Sequence, residues 1–209
     1  MTTYHVSTRK SIAIAATAAA LIVLAACGGN DGTAEPGGHS GMTGTTSSTS
    51  DSAGARNDAD VQFAQQMIPH HRQAVQMADL AETRASSAEV KSLAATIKKA
   101  QGPEIKTMSG WLKTWGEPVP QESEGMDHSG DDMSGMMTDE DMRELEQASG
   151  KAFDTAFLQM MIKHHKGAVS MAKTEKSDGS YQPAKDMADD IIASQTAEIT
   201  EMNKILRKQ

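Results

Sequence analysis

The chain contains one stretch twice. Met67-Ile68-Pro69-His70-His71 returns 94 positions later as Met161-Ile162-Lys163-His164-His165. The match continues at that fixed offset: Phe63, Gln65, Ala74, Val75, Met77 and Ala78 return as Phe157, Gln159, Ala168, Val169, Met171 and Ala172. Further on, Ala94, Ile97, Gln101, Glu104, Ile105, Met108 and Leu112 return as Ala188, Ile191, Gln195, Glu198, Ile199, Met202 and Leu206. No gap opens between Asp60/Asp154 and Leu112/Leu206, which marks an internal duplication. A chain built this way is expected to fold into two copies of one unit and to be pseudo-symmetric.

The unit reads as a helical hairpin. From Asp58 to about Arg84 there is no glycine, and Phe63, Met67, His70, Ala74, Met77 and Ala81 fall on one stripe at about 100° per residue. Gln62, Gln65, Arg72, Gln73, Gln76 and Asp79 take the other side, so both histidines lie on or beside the buried face. Thr83 to Ala88 is a polar turn in which Ser86 or Ser87 can cap a second helix. That helix aligns Ala94, Ile97, Gln101, Glu104, Ile105, Met108 and Leu112. In the second copy the turn is longer, Ser177 to Pro183, and Pro183 suits a first helical turn. Two hairpins with one apolar stripe each bury them against each other, which predicts an all-α, ferritin-like four-helix bundle. Pro69 and Pro103 should bend their helices, with Gly102-Pro103 the stronger candidate for a break. Gly116 to Gly135, rich in Pro, Gly and acid, reads as a mobile connection. Thr138 to Asp141 reads as a capping box opening a short helix to about Ala148, before Ser149-Gly150.

The ends set the compartment. Arg9 and Lys10 precede an apolar, alanine-rich run ending Leu24-Ala25-Ala26-Cys27, which resembles a bacterial lipobox. Residues 1–26 are therefore expected to be a lipoprotein signal peptide. Cys27, the single cysteine, would be lipidated and anchored to the outer face of the bacterial cell membrane. Residues 27–57 are a Gly/Ser/Thr tether with a reach of roughly 30 Å. Residues 58–209 form the bundle: repeat 1 about 58–115, the connection 116–150, and repeat 2 about 151–209. A net charge of −8 argues against nucleic acid and suits cations.

The same residues carry the chemistry. Imidazole binds copper, zinc, iron and nickel, while the thioether of methionine prefers Cu(I). Met67 is one turn from His70 and His71, and Met161 from His164 and His165; Met77 and Met171 lie further along the same faces. These eight side chains are the expected metal ligands. Met108 and Met202 project from the partner helices as auxiliary candidates. Di-iron bundles place Glu three residues before the histidine on two helices; here those positions hold Met67 and Met161. Glu104 and Glu198 can ligate directly, or orient the imidazoles from behind. In the connection, Met126, His128, Met133, Met136 and Met137 read as exposed, lower-affinity collectors. A buried methionine is often only core filler, but two adjacent histidines that recur with methionine one turn back point to a metal.

Phe63-x-x-x-Met67-Ile68-x-His70-His71-x-x-Ala74-x-x-Met77-Ala78, and the counterpart running from Gly150 through Phe153-Asp154, Phe157 and Met161 to Ala168, resemble the domain of unknown function 305 family over about residues 57–207. The resemblance implies a four-helix bundle, export, and copper binding in some members. Arg72 and Lys166, following the histidine pairs, place positive charge beside the proposed cation site. The expectation is a lipid-anchored copper-binding protein that buffers copper or passes it to a copper-handling partner, and that is not an enzyme. Three alternatives stay open: a ferritin-like metal-dependent oxidase, which would turn over oxygen; a haem protein, which would show a Soret band; and a structural or adapter lipoprotein, which would bind no metal.

Overall fold

The computed structural model describes residues 55–121 and 135–208, which contain five helices. These are α1 (Asp58–Arg84), α2 (Ala88–Trp115), α3 (Asp139–Gln147), α4 (Gly150–Asp178) and α5 (Gln182–Leu206). The four long helices are the two expected hairpins, α1–α2 and α4–α5, and α3 is the short helix of the connection. Cys27 and the tether, together with Met126, His128 and Met133, lie outside the described residues. No described helix is long and apolar enough to cross a membrane.

Local chemistry sets the helix ends. The Asn57 side chain accepts from the Ala59 and Asp60 backbone N–H groups, and Asp60 accepts in return from the Asn57 N–H. Thr138 and Asp141 make the same reciprocal box at the start of α3. Ser87, rather than Ser86, caps α2, and Gly116 ends it in a left-handed conformation at φ +74°. Pro183 stands in the first turn of α5.

The two prolines behave differently from expectation at one place. Both helices run through them, and α2 does not break at Gly102-Pro103. Pro103 is exposed, so water can serve the Lys99 carbonyl that loses its donor, and the core face stays continuous. The connection is also less free than expected at its start. Gln65 Nε2 donates to the Pro118 carbonyl (3.3 Å) and Arg72 Nη1 to the Pro120 carbonyl (2.7 Å), tying this segment along α1. Arg72, suspected of crowding the cation site, is thereby turned to the outside.

α2 packs on α1, α5 on α4, and the hairpins meet through α1 and α4. Two aspartates bolt the hairpins together. Asp60, opening α1, accepts from the Ser180 and Tyr181 N–H groups in the α4–α5 turn. Asp154, its repeat mate near the start of α4, accepts from the Ser86 and Ser87 N–H groups in the α1–α2 turn. Each helix start therefore holds the opposite hairpin's turn, and α1 and α4 run antiparallel. Their contact divides the core into two clusters. One gathers Met77, Met161 and Met202 with Phe153, Phe157 and Leu158; the other gathers Met67, Met108 and Ile68 with Phe63 and Leu112. Burying side chains of this size contributes about 1.5–3 kcal/mol each.

Candidate metal centre

Where α1 crosses α4, His70 and His164 meet with ring centroids 3.7 Å apart and planes tilted by 37°. His71 and His165 flank them, at 6.5 and 6.4 Å from their neighbours in sequence. All four imidazoles are fully buried. The duplicated motifs thus build one layer of four histidines across the pseudo-twofold axis. Burial first, and then the nearby His70, His165 and His71, hold the His164 pKa well below its usual value, with a weak opposing contact to the His70 backbone. His164 is neutral at pH 7 and keeps a lone pair for a ligand.

The outer histidines each have a carboxylate. His71 Nε2 lies 2.7 Å from Glu104 Oε2, and His165 Nε2 lies 2.7 Å from Glu198 Oε2. A carboxylate accepts, so each imidazole donates its Nε2–H and presents Nδ1 as the free nitrogen when neutral. Those Nδ1 atoms are buried without a hydrogen-bond partner, as are Gln101 Oε1 and Nε2 and Gln195 Oε1. Burying a polar atom unpaired costs about 1–3 kcal/mol. Several such atoms together around one layer are what a site built to receive something shows. The two glutamates are partly exposed, at 20% and 15% of their side-chain area, and link the buried layer to solvent.

Methionine supplies the rest of the donor inventory. Met67, Met77, Met108, Met161 and Met202 are fully buried, and Met171 is half-buried. The antiparallel crossing sorts them in exchanged sets. Met77 of the first repeat joins Met161 and Met202 of the second, while Met171 packs against the cluster of Met67 and Met108. Among the described residues, no three His, Cys, Asp or Glu side chains converge closely enough to hold a metal. The thioethers of the two clusters are the further donors that lie beside the histidine layer.

One expectation is overturned. Met136 and Met137 are not exposed collectors: they are 9% and 2% accessible, and Met137 belongs to the core cluster of Met77 and Met161. Segment 135–138 is drawn into the bundle by hydrogen bonds that composition does not reveal. Several residues of consequence were not anticipated. Asp60 and Asp154 were visible as identical acids opening the aligned region, yet their role depends on which turn faces them. Gln73 looked like surface, but it is buried and hydrogen-bonded to the Met137 backbone. Glu175 is buried beside Asp60, where its repeat mate is Ala81.

Comparison with known proteins places these features in a family. The family model described as Domain of unknown function (DUF305) matches residues 60–206. A DUF305 structure from Streptomyces coelicolor is similar with a TM-score of 0.65 and 35% identity, covering 72% of this chain and 93% of that one. A DUF305 fragment from Deinococcus radiodurans gives 0.65 and 28%, covering 73% and 98%. CopM in its Cu(I)-bound form gives 0.60 and 34%, covering 71% and 96%, and its Cu(II)-bound form gives the same values. No curated protein sequence matches.

Proposed function

The chain belongs to the DUF305 family, and on that premise we propose that it is an exported, lipid-anchored protein that binds copper, to buffer it or hand it to a partner. One observation carries the reading: a buried layer of four imidazoles, in which the Nδ1 atoms of His71 and His165 have no hydrogen-bond partner, set between two methionine-rich clusters. Imidazole accommodates Cu(I) and Cu(II), whereas thioether favours Cu(I). An oxidising compartment disfavours free thiols, so methionine is the practical soft donor there. That CopM is known in both copper forms is in keeping with this. The ligands we assign are His70, His71, His164 and His165, with Met67, Met77, Met161 and Met171 as soft partners. Glu104 and Glu198 act as orienting carboxylates rather than ligands. Export and anchoring rest on the signal pattern ending at Cys27. The protein holds its metal without turning over a substrate.

The test is a titration with Cu(I) under reducing conditions and Cu(II) without, against Zn(II) and Fe(II). Tight, stoichiometric copper binding is expected, and it should be lost when His70, His71, His164 and His165 are replaced together in a protein that stays helical. Copper retained at full stoichiometry and affinity in that variant refutes the assignment.

A further inference from the structure

The duplication is broken where it matters most. Two residues beyond each histidine pair, the first repeat has Gln73 and the second has Gly167. Both departures serve one strand of chain. Gln73 Nε2 donates to the Met137 carbonyl and Gln73 Oε1 accepts from the Met137 N–H, each at 2.8 Å. On the other side, Gly135 lies against α4 so closely that a Cβ there would stand 2.7 Å from the Lys163 carbonyl oxygen and 3.0 Å from Gly167 Cα. Gly135 also has φ +86°, which only glycine adopts readily. Segment 135–137 is thus a strap across the α1–α4 seam, fixed to Gln73 on one helix and to the backbone around His164-His165 on the other.

The strap delivers one side chain inward. Met137 is 2% exposed and joins Met77, Met161 and Met202, so this cluster draws four buried thioethers from four separate segments. The opposite cluster holds Met67 and Met108 buried, with Met171 and Met187 only partly covered, and receives nothing from the strap. Methionine as gap filler needs no such arrangement, because it adapts to whatever space is left. Here the backbone of position 137 is clamped at both its N–H and its C=O, by a buried amide that has no counterpart in the other repeat. That fixes the point on the backbone from which the side chain enters the core.

We propose that Met137 is a ligand of a soft monovalent cation, Cu(I), in the half of the core that contains Met77, Met161 and Met202, making the two halves of the duplicated bundle unequal in their metal affinity. This rests on the copper-binding reading above and adds to it a ligand from outside both repeats. The dry, sulfur-rich half suits an ion of low charge and soft character; the half lacking Met137 holds fewer buried sulfurs and binds Cu(I) more weakly.

The test uses the full chain with Met137→Leu and Met136→Leu. Leucine for methionine conserves volume and costs little in a core, and thermal unfolding confirms that both variants remain folded. Cu(I) affinity is read by competition with bicinchoninate, and the number of sulfur neighbours per Cu(I) by X-ray absorption. Met137→Leu should weaken the tighter Cu(I) site by about tenfold or more and lower its sulfur count, with Cu(II) affinity unchanged. Met136→Leu, at a position that lies in neither methionine cluster, should leave both readouts at the wild-type value. Wild-type Cu(I) affinity and sulfur count in Met137→Leu overturn the proposal while leaving copper binding intact. Failure of the unaltered protein to bind Cu(I) overturns the proposal, and failure to bind Cu(II) as well overturns the copper-binding reading with it.

Discussion

Glu175 offers a direct test of the electrostatics at one end of the bundle. It is 1% exposed, deep in the last turns of α4, and faces Asp60. Burial works against the charge of Asp60, but the backbone N–H groups of Asn57, Tyr181 and Ser180 and the carboxyl of Glu175 outweigh it and hold Asp60 below the ordinary carboxylate value. Burial first, and then the neighbouring carboxylate of Asp60 and its charge, push Glu175 up to about 8 against 4.5; Asp178 adds to the rise and Lys185 opposes it. Glu175 is therefore the protonated partner at neutral pH. In the unfolded chain it loses its proton near 4.5, while in the native protein it keeps it to about 8. Between those limits the native state binds one more proton, so stability falls as pH rises, by at most about 1.4 kcal/mol per pH unit. Glu175→Gln keeps the side chain's shape and removes the ionisation. The variant should gain on the wild type by about 3 kcal/mol between pH 5 and pH 7.5, as an upper bound. Any constant cost of the amide cancels in that difference, as do histidine titrations common to both proteins. Urea unfolding of both proteins at the two pH values, followed by circular dichroism in the presence of chelator, measures it. A stability difference that does not change with pH, or one that moves against the variant as pH rises, refutes the assignment of a protonated Glu175.

Three further outcomes follow from the same geometry. Asp154→Ala leaves the Ser86 and Ser87 N–H groups without their acceptor and should cost about 2–4 kcal/mol in denaturant unfolding. Gly135→Ala forces a Cβ against the backbone of α4 at a positive φ; a loss of about 2 kcal/mol or more is expected, and a neutral result would mean that the strap is not seated as described. Glu104→Gln combined with Glu198→Gln should keep the helices, by circular dichroism, while weakening copper binding about 10–100-fold in a chelator competition, because the imidazoles lose the carboxylates that set their orientation.

Most of the architecture was legible because it depends on periodicity and on the gapless repeat. A stripe every 3.6 residues fixes which face of α1 is buried, and two identical hairpins leave few ways to hide it. The four histidines were legible as residues on or beside the buried face, but that the two pairs meet in one layer was not, because it depends on how α1 crosses α4. The pairing of His71 with Glu104 and of His165 with Glu198 was within reach, since both pairs recur at one offset. What could not be read were contacts that depend on how one segment lies over another. Nothing in Gly135-Met136-Met137 distinguishes a buried strap from a flexible spacer until Gln73 is found opposite it. Likewise Pro103 reads as a breaker until the helix is seen to turn its weakened carbonyl to water.

The points of asymmetry then carry more information than the points of identity. After duplication, both copies start with the same demands, and a position that still matches is explained by what the two share: the helix face, the histidine layer, the aspartate bolts. Ala81 against Glu175 and Gln73 against Gly167 have no such common cause. The first pair changes only one end of the bundle, where an acid now leans on the Asp60 bolt and makes that end sensitive to pH. The second pair receives the strap, and the strap can cross the seam only once, because a single connection joins the repeats. A symmetric bundle with one connection must treat its two halves differently wherever that connection lies. Here it lies beside the histidines and carries methionine, so the inequality falls on the candidate metal centre rather than on the scaffold.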